Sequence, residues 1–418
     1  MSAGGSHDVI DSSLPERRRI RLSTLIVLGL MGAFGPLAMD VYIAALPQLG
    51  AELHASDSAV QATVSTCLLG LAGGQLIAGP VSDRIGRRPT LLIGTALFLV
   101  ASVLCAIAPD IWTLIACRVL QGVAGATGIA VSRAAIRDHF DGSEVARVLA
   151  QLTVITGVAP IAAPLIGGAL TLVTDWRGIF LVLGGIGALL FLAVLIWVPE
   201  SLRSEHRLAN GIGAVFRQFG VLVRDPLFLR FALVGAAAGA AFFTYISMTS
   251  IVLQGEYGVS PVMFSLLFGI NATALIAGAQ LNSLLIPRVG IRALLTAVLG
   301  LAVLGAGLVV LFAGLGLPLA VVQTTLGVAL VTNGMQSPNS TALALAHHAR
   351  GAGTASALQG ALSFVFGALV PPVVAACFGT TAVSMGATMG VCSLVALLLS
   401  IGRGSFSRSR DGVDPAAR

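Results

Sequence analysis

The sequence contains no lysine: all 24 basic residues are arginine. A phosphate loop of the G-x-x-x-x-G-K-[ST] type is therefore excluded, as is chemistry through a lysine Schiff base. Charge of either sign is scarce, at 10% of residues, where soluble domains carry about 25%. Cysteine is scarce too. Cys67, Cys105, Cys117, Cys377 and Cys392 all fall inside apolar runs, without the C-x-x-C spacing of metal or redox sites. Free cysteines in such runs act as small apolar filler. No nucleophile, base or metal constellation is visible, so neither an enzyme nor a cofactor is expected.

What fills the 418 residues is apolar: 56% are hydrophobic. The runs exceed the roughly 20 residues that a membrane-spanning helix needs, and they do not alternate as barrel strands do. Lipid offers backbone groups no water, so spans must be helices or a closed barrel. The expectation is an all-α membrane protein. Twelve spans are read at about 22–48, 58–81, 90–108, 111–135, 148–172, 178–198, 228–253, 261–286, 293–313, 317–341, 354–378 and 380–402.

The arginines test this topology. With the N-terminus inside, the inner segments hold 21 of the 24, and the outer loops hold only Arg177. Arginine in short loops marks the cytoplasmic side, so both termini are expected there, in the cell membrane. The net charge of +6 is scattered through these loops and does not point to nucleic acid. Arg17-Arg18-Arg19 and Arg21 precede a run too long for a signal peptide, which reads as a retained first helix. The expected organisation is a cytoplasmic tail 1–21, a six-helix bundle 22–198, a linker 199–227, a second bundle 228–402 and a tail 403–418. Within the linker, Gly213 to Val223 is mildly amphipathic and is expected to lie on the inner leaflet.

One charged stretch organises the chain: Gly79-Pro80-Val81-Ser82-Asp83-Arg84-Ile85-Gly86-Arg87-Arg88-Pro89. It lies between two apolar runs and reads as a tight turn at the membrane surface. It is echoed half a chain later. Gln75-Leu76 followed by Arg84-Ile85-Gly86-Arg87-Arg88 is matched by Gln280-Leu281 followed by Arg288-Val289-Gly290-Ile291-Arg292, with Pro287 in place of Asp83. Weak repeats of this kind are what the two pseudo-symmetric halves of a transporter leave in sequence.

Asp40 and Arg118 are the ionisable residues placed deep in spans. A charge at that depth costs several kcal/mol or more and is a functional hypothesis by default. The plainer alternative is a structural ion pair between the first and fourth helices. As a functional pair they suit proton coupling. Desolvation and a nearby guanidinium act on a carboxylate in opposite senses, and protonation changes which cavity shape is cheapest. No covalent step is needed.

Gly79 to Pro89 resembles the signature loop between helices 2 and 3 of the major facilitator superfamily. Arg118-Val119-Leu120-Gln121-Gly122 is similar to that family's helix 4 motif. Gly157-Val158-Ala159-Pro160-Ile161-Ala162-Ala163-Pro164-Leu165-Ile166-Gly167-Gly168 resembles its helix 5 antiporter motif, with Ala163 replacing one glycine. Pro36-Leu37-Ala38-Met39-Asp40-Val41-Tyr42 running to Pro47, and Ser132-Arg133-Ala134-Ala135-Ile136-Arg137-Asp138, resemble the Bcr/CflA drug-resistance subfamily. Its members export bicyclomycin, chloramphenicol and similar compounds in exchange for protons. A second helix-1 acid of some relatives is missing here, with Gly32 in that region.

The resemblance implies two bundles that rock about a central path, proton coupling at Asp40 and Arg118, and a gate at Gly79, Asp83, Arg84, Gly86, Arg87, Arg88 and Asp138. Asp83 would cap a helix of the other half near Gly353 when the cytoplasmic side closes, and Arg87 or Arg84 would pair with Asp138. Gly157, Pro160, Pro164, Gly167 and Gly168 would let helices approach and bend. By analogy, the path is lined by Tyr42, Gln121, Phe242, Phe243, Tyr245, Met248, Asn333, Gln336 and Asn339, with Asn271 and Gln280 as weaker candidates. Aromatics and Met suit an apolar drug, and amides suit its polar groups. His347-His348 looks like a metal pair but lies in a short loop and reads as a solvated turn. The expected partners are a small drug, protons and the bilayer, with the chain a monomer. A proton-coupled importer, a metabolite exporter of the same fold, and a non-transporting membrane sensor stand as alternatives.

Overall fold

The computed structural model describes residues 21–140, 142–202, 212–346 and 352–402. The expected tails, most of the linker and His347-His348 lie outside the described residues.

The first apolar run is not one rod. It forms α1 (Leu22–Gly32), α2 (Phe34–Asp40), a tight turn Ile43–Ala45 and α3 (Leu46–Glu52), with a 41° bend between α1 and the rest. Pro36 has no N–H to return to the carbonyl of Gly32, so the helical ladder breaks there. Pro47 then sits at the start of α3, where a missing N–H costs nothing.

The remaining helices follow with short connections. They are α4 (Asp57–Ile85), α5 (Arg87–Ala106), α6 (Ile111–His139), α7 (Gly142–Leu170), α8 (Trp176–Trp197), α9 (Ile212–Arg224), α10 (Pro226–Ile251), α11 (Pro261–Val289), α12 (Ile291–Gly314), α13 (Leu319–Leu345), α14 (Ala352–Phe378) and α15 (Ala382–Ile401). Side chains close their open ends. Asp110 accepts from the amides of Trp112 and Thr113, Asp175 from Gly178, and Asp225 from Leu227, each at 2.9 Å. Among the described residues nine helices are long and apolar enough to cross a membrane, and the bent first pair makes a tenth.

The expected turn from Gly79 to Pro89 is far narrower than that stretch. α4 runs on through Pro80 to Ile85, and only Gly86 separates it from α5. Gly86 has φ 110°, which a side chain resists. The second copy of the repeat does the same. α11 and α12 are separated only by Gly290, with φ 81°. The amphipathic linker segment forms α9, but it does not simply lie on a lipid surface: Phe219 and Leu222 are buried against the bundle formed with α10 and α14.

Glycines set the closest crossings. A Cβ on Gly70 of α4 would meet the carbonyl of Val119 on α6, and one on Gly122 of α6 would meet the carbonyl of Cys67 on α4. The crossing of α11 and α13 is built alike, with Gly278 against the carbonyl of Val331 and Gly334 against that of Leu275. Small residues allow such approach where no hydrophobic force separates protein from lipid. The two sets of helices meet chiefly where α4 packs on α14 and α7 on α11.

Gly122→Ala presses a methyl onto the Cys67 carbonyl and is expected to destabilise by about 1–3 kcal/mol, read as a lower melting temperature in detergent. Gly73→Ala meets nothing within 4 Å. It is expected to be neutral, or to stabilise by up to about 1 kcal/mol through helix propensity.

Candidate functional site

A cavity of about 760 Å³ runs inward from the arginine-bearing end, between α4 and α6 on one side and α10, α13 and α14 on the other. Phe242, Phe243 and Phe364 supply aromatic wall. Gln75, Asn333, Gln336 and Gln359 supply amides, and Asp83, Arg87, Arg133, Arg137 and Asp138 supply charge. The far end is stitched shut. Ser250 Oγ donates to the carbonyl of Ile43 at 2.6 Å, Gln254 Nε2 to that of Ala44 at 3.0 Å, and Gln61 Nε2 to Thr380 Oγ1 at 2.9 Å.

Deeper lies a second, apolar pocket of about 170 Å³. Met39, Asp40, Pro160, Tyr245, Phe268 and Asn271 line it, and Ile129, Phe242, Phe243, Leu275 and Phe364 belong to both walls. Asp40 is the carboxylate of this pocket. It is 5% exposed, and its Oδ1 has no hydrogen-bond partner. Tyr245 Oη accepts from Asn271 Nδ2 at 3.1 Å, and Asn271 Oδ1 accepts from Gln323 Nε2 at 2.9 Å. Gln323 was not singled out from sequence; a polar residue in an apolar helix was the available signal.

Arg118 does not pair with Asp40. Each lies within range of the other's charge, but among the described residues no ion pair joins them. The guanidinium is fully buried. It donates to the carbonyls of Ala38 at 2.9 Å and Thr63 at 3.2 Å, and to Gln121 Oε1. It lies 4.3 Å from the ring centre of Tyr42 and 5.7 Å from that of Phe180. Tyr42 Oη shares a hydrogen bond with Thr63 Oγ1 at 2.9 Å, and Gln121 Nε2 donates to Ser102 Oγ at 2.8 Å. These groups form one closed polar cluster behind the pocket wall.

Four of the expected path residues are therefore placed elsewhere. Tyr42 and Gln121 face Arg118 and line neither cavity. Met248 is fully buried and lines neither. Asn339 exchanges hydrogen bonds with Asn282 at 3.1 and 2.7 Å, which ties α13 to α11. Phe242, Phe243, Asn333 and Gln336 are on the large cavity, and Tyr245 is on the deep pocket. Of the weaker candidates, Asn271 reaches the pocket and Gln280 is exposed. Sequence placed all of these on helices but not on a particular face.

At the arginine-bearing end Arg87 is the hub. Its Nη1 meets Asp83 Oδ1 at 2.5 Å and Ser82 Oγ at 2.6 Å, and its Nε meets Asp138 Oδ2 at 2.9 Å. Arg84 is exposed, so of the two expected partners of Asp138 it is Arg87 that binds. Arg88 Nη2 donates to the Leu195 carbonyl at 2.7 Å. Sequence reading missed Glu200. Its carboxylate accepts from the amides of Arg87 at 2.9 Å and Arg88 at 3.3 Å, capping α5. Gly353 lines the cavity across from Asp83.

In α7, Pro160 and Pro164 lie inside the helix, and Pro160 reaches the deep pocket. Gly167 abuts the carbonyl of Val41 in the first broken helix, and Gly168 abuts Ser265 of α11. The surroundings of Gly157 lie outside the described residues.

The Major Facilitator Superfamily model matches residues 28–372. The chain belongs to the major facilitator superfamily. Within it, the chain belongs with the Bcr/CflA-type drug-resistance proteins. It is 39% identical to the uncharacterized MFS-type transporter YdgK of Bacillus subtilis, over 91% of this chain and 95% of that protein. It is 30% identical to the bicyclomycin resistance protein homolog of Haemophilus influenzae, over 90% and 94%. It is 31% identical to a chloramphenicol resistance protein of Pseudomonas aeruginosa, over 68% and 67%. Among solved structures the D-xylose-proton symporter superposes with a TM-score of 0.70 at 18% identity, covering 90% of this chain and 96% of that one. A bacterial homolog of the human lysosomal transporter Spinster, inward-facing and unoccupied, gives 0.69 at 18% identity, over 90% and 95%. These two show the superfamily fold.

Arg118→Ala removes donors from buried carbonyls and is expected to destabilise by about 3 kcal/mol. Asp40→Asn removes a carboxylate with no partner to lose and is expected to stay within about 1 kcal/mol of wild type. Thermal melting of both purified variants in detergent checks the contrast.

Proposed function

We propose that this chain is a twelve-span secondary transporter of the cytoplasmic membrane that exports small lipophilic drugs of the chloramphenicol or bicyclomycin kind in exchange for protons. On this reading residues 22–198 and 228–402 are two six-helix bundles joined by the linker 199–227. α7 and α13, both long helices outside the nine apolar ones, complete the twelve spans. Both termini and the arginine-bearing end are cytoplasmic, so the open cavity faces inward, and the protein works as a monomer.

The observation that carries the proposal is Asp40: a buried carboxylate whose Oδ1 is unpartnered, on the wall of an apolar pocket that adjoins the open cavity. A charge held without a partner in an apolar site is held at a cost, and a proton removes that cost. Arg118 acts on Asp40 through space and holds the broken first helix, so its role is positioning. A drug enters the cavity past Phe242 and Phe243 and reaches Tyr245 and Asn271. Protonation of Asp40 from the outer side and its release inside reset the cycle. At about 2.3 kcal/mol for 100 mV and about 1.4 per pH unit, one proton supports roughly a several-hundred-fold drug gradient. Closure of the inner end would break the Arg87 network and let Asp83 turn to the first turn of α14 at Gly353. Pro160 and Pro164, which would let α7 bend, and the contacts of Gly167 and Gly168 would allow the halves to rock.

Cells expressing wild type are expected to grow at several-fold higher chloramphenicol, florfenicol or bicyclomycin than cells expressing Asp40→Asn at matched levels. Equal protection by both would make Asp40 structural. Protection by neither would shift the reading to a metabolite substrate.

A further inference from the structure

The Ser132–Asp138 stretch supplies one carboxylate to the Arg87 network and carries two arginines outside it. The cavity wall carries two carboxylates, Asp83 and Asp138, and both are bound to Arg87. Asp138 also accepts from Ser201 Oγ at 2.8 Å. Arg133 and Arg137 sit on α6 one turn apart, and both line the same cavity. Among the described residues neither makes a hydrogen bond or an ion pair. The charge that acts on Arg133 is Arg137, a like charge. Like charges at this spacing repel and weaken a helix, so local stability does not explain the pair.

The geometry points to an anion subsite: we propose that Arg133 and Arg137 bind the carboxylate or sulfonate of a small aromatic substrate. The aromatic body then lies on Phe242, Phe243 and Phe364, whose rings already touch, with centres 5.5 and 5.7 Å apart along that order. A second observation is an unpartnered polar side chain on the same cavity. Gln336 is 1% exposed, and neither its Oε1 nor its Nε2 has a hydrogen-bond partner. Arg137 extends towards α14, with Nη1 3.2 Å from where a Cβ on Gly353 would stand, so its guanidinium reaches across the cavity, whose wall Arg133 also lines. Paired guanidiniums suit the planar fork of a carboxylate or the oxygens of a sulfonate. An organic cation meets a like field at the mouth.

The proposal rests on the exporter reading and narrows its substrate class. A cationic drug competes with the proton for Asp40; an anion leaves Asp40 to the proton. Outward movement of an anion and inward movement of a proton both run with an inside-negative potential. Beside the neutral drugs of the exporter reading, the subsite thus adds acidic aromatic compounds to the transported class and excludes permanent cations.

The test uses one aromatic body in three charge states: naphthalenesulfonate, naphthol and naphthyltrimethylammonium. Each is titrated calorimetrically into the full chain in phosphatidylcholine nanodiscs. The sulfonate is expected to bind about tenfold or more tighter than the ammonium compound, with an affinity that falls as salt rises. Arg133→Gln/Arg137→Gln is expected to bring the two within about twofold while naphthol binding is unchanged. Arg133→Lys/Arg137→Lys is expected to retain the preference in large part. Equal or tighter binding of the cation by wild type overturns the proposal, as does an unchanged ratio in the glutamine variant or no binding of any probe. If the glutamine variant fails to bind naphthol, the salt dependence on wild type decides: a sulfonate affinity insensitive to salt overturns it. Repetition in phosphatidylglycerol nanodiscs separates a free anion from a lipid headgroup. A preference present in both lipids supports the substrate site. One that vanishes in phosphatidylglycerol marks a lipid site and overturns the substrate reading. None of these titrations depends on transport, so failure here leaves the Asp40→Asn comparison intact as the judge of export.

Discussion

The structure depends on the hold that Arg118 has on the broken first helix. A helix that stops inside an apolar region leaves carbonyls without intrahelical donors, and lipid supplies none. Arg118 crosses from α6 to the carbonyl of Ala38 and also binds that of Thr63, so one guanidinium joins the break, α4 and α6. The break in turn places Asp40 at the pocket wall. Tyr42, Thr63, Gln121 and Ser102 close the polar cluster around the cation. The cost of the buried charge is offset by these bonds and by two aromatic faces.

Around that hold, the packing divides into close crossings and one open end. Gly70 with Gly122, and Gly278 with Gly334, bring helices together until backbone meets backbone. Such contacts define position sharply, because interiors at this density resist small deformation. The far end is tied by bonds from Ser250, Gln254 and Gln61. At the arginine-bearing end the network of Arg87, Asp83 and Asp138 ties one side within itself. On the proposed transporter reading, a molecule built in this way moves as one set of helices against another.

Charge is apportioned with the same economy. One deep carboxylate stands apart from the Arg118 guanidinium, which donates instead to two carbonyls and an amide. Two carboxylates at the mouth share one arginine, and two further arginines share none. On the proposed reading, proton and substrate would meet different fields, one in the apolar pocket and one on the wider wall, without competing for the same atoms.

Much of this was legible in the sequence. Scarce charge and long apolar runs that do not alternate dictate membrane helices, since lipid allows the backbone only helices or a closed barrel. The repeat around Gly86 and Gly290 was legible because only glycine accepts the φ those turns need. Asp40, Arg118 and the Asp83–Arg87 stretch stood out because charge is costly where they lie. Tertiary structure alone decided which way side chains face. Tyr42, Gln121, Met248 and Asn339 lie on the expected helices but turn away from the cavity, because apolar surroundings on all sides leave no amphipathic pattern to read. Likewise Glu200, far along the chain from Arg87, became its helix cap only through folding, and Arg118 turned from Asp40 to the carbonyl of Ala38, at the break in the first helix, and to that of Thr63 in α4.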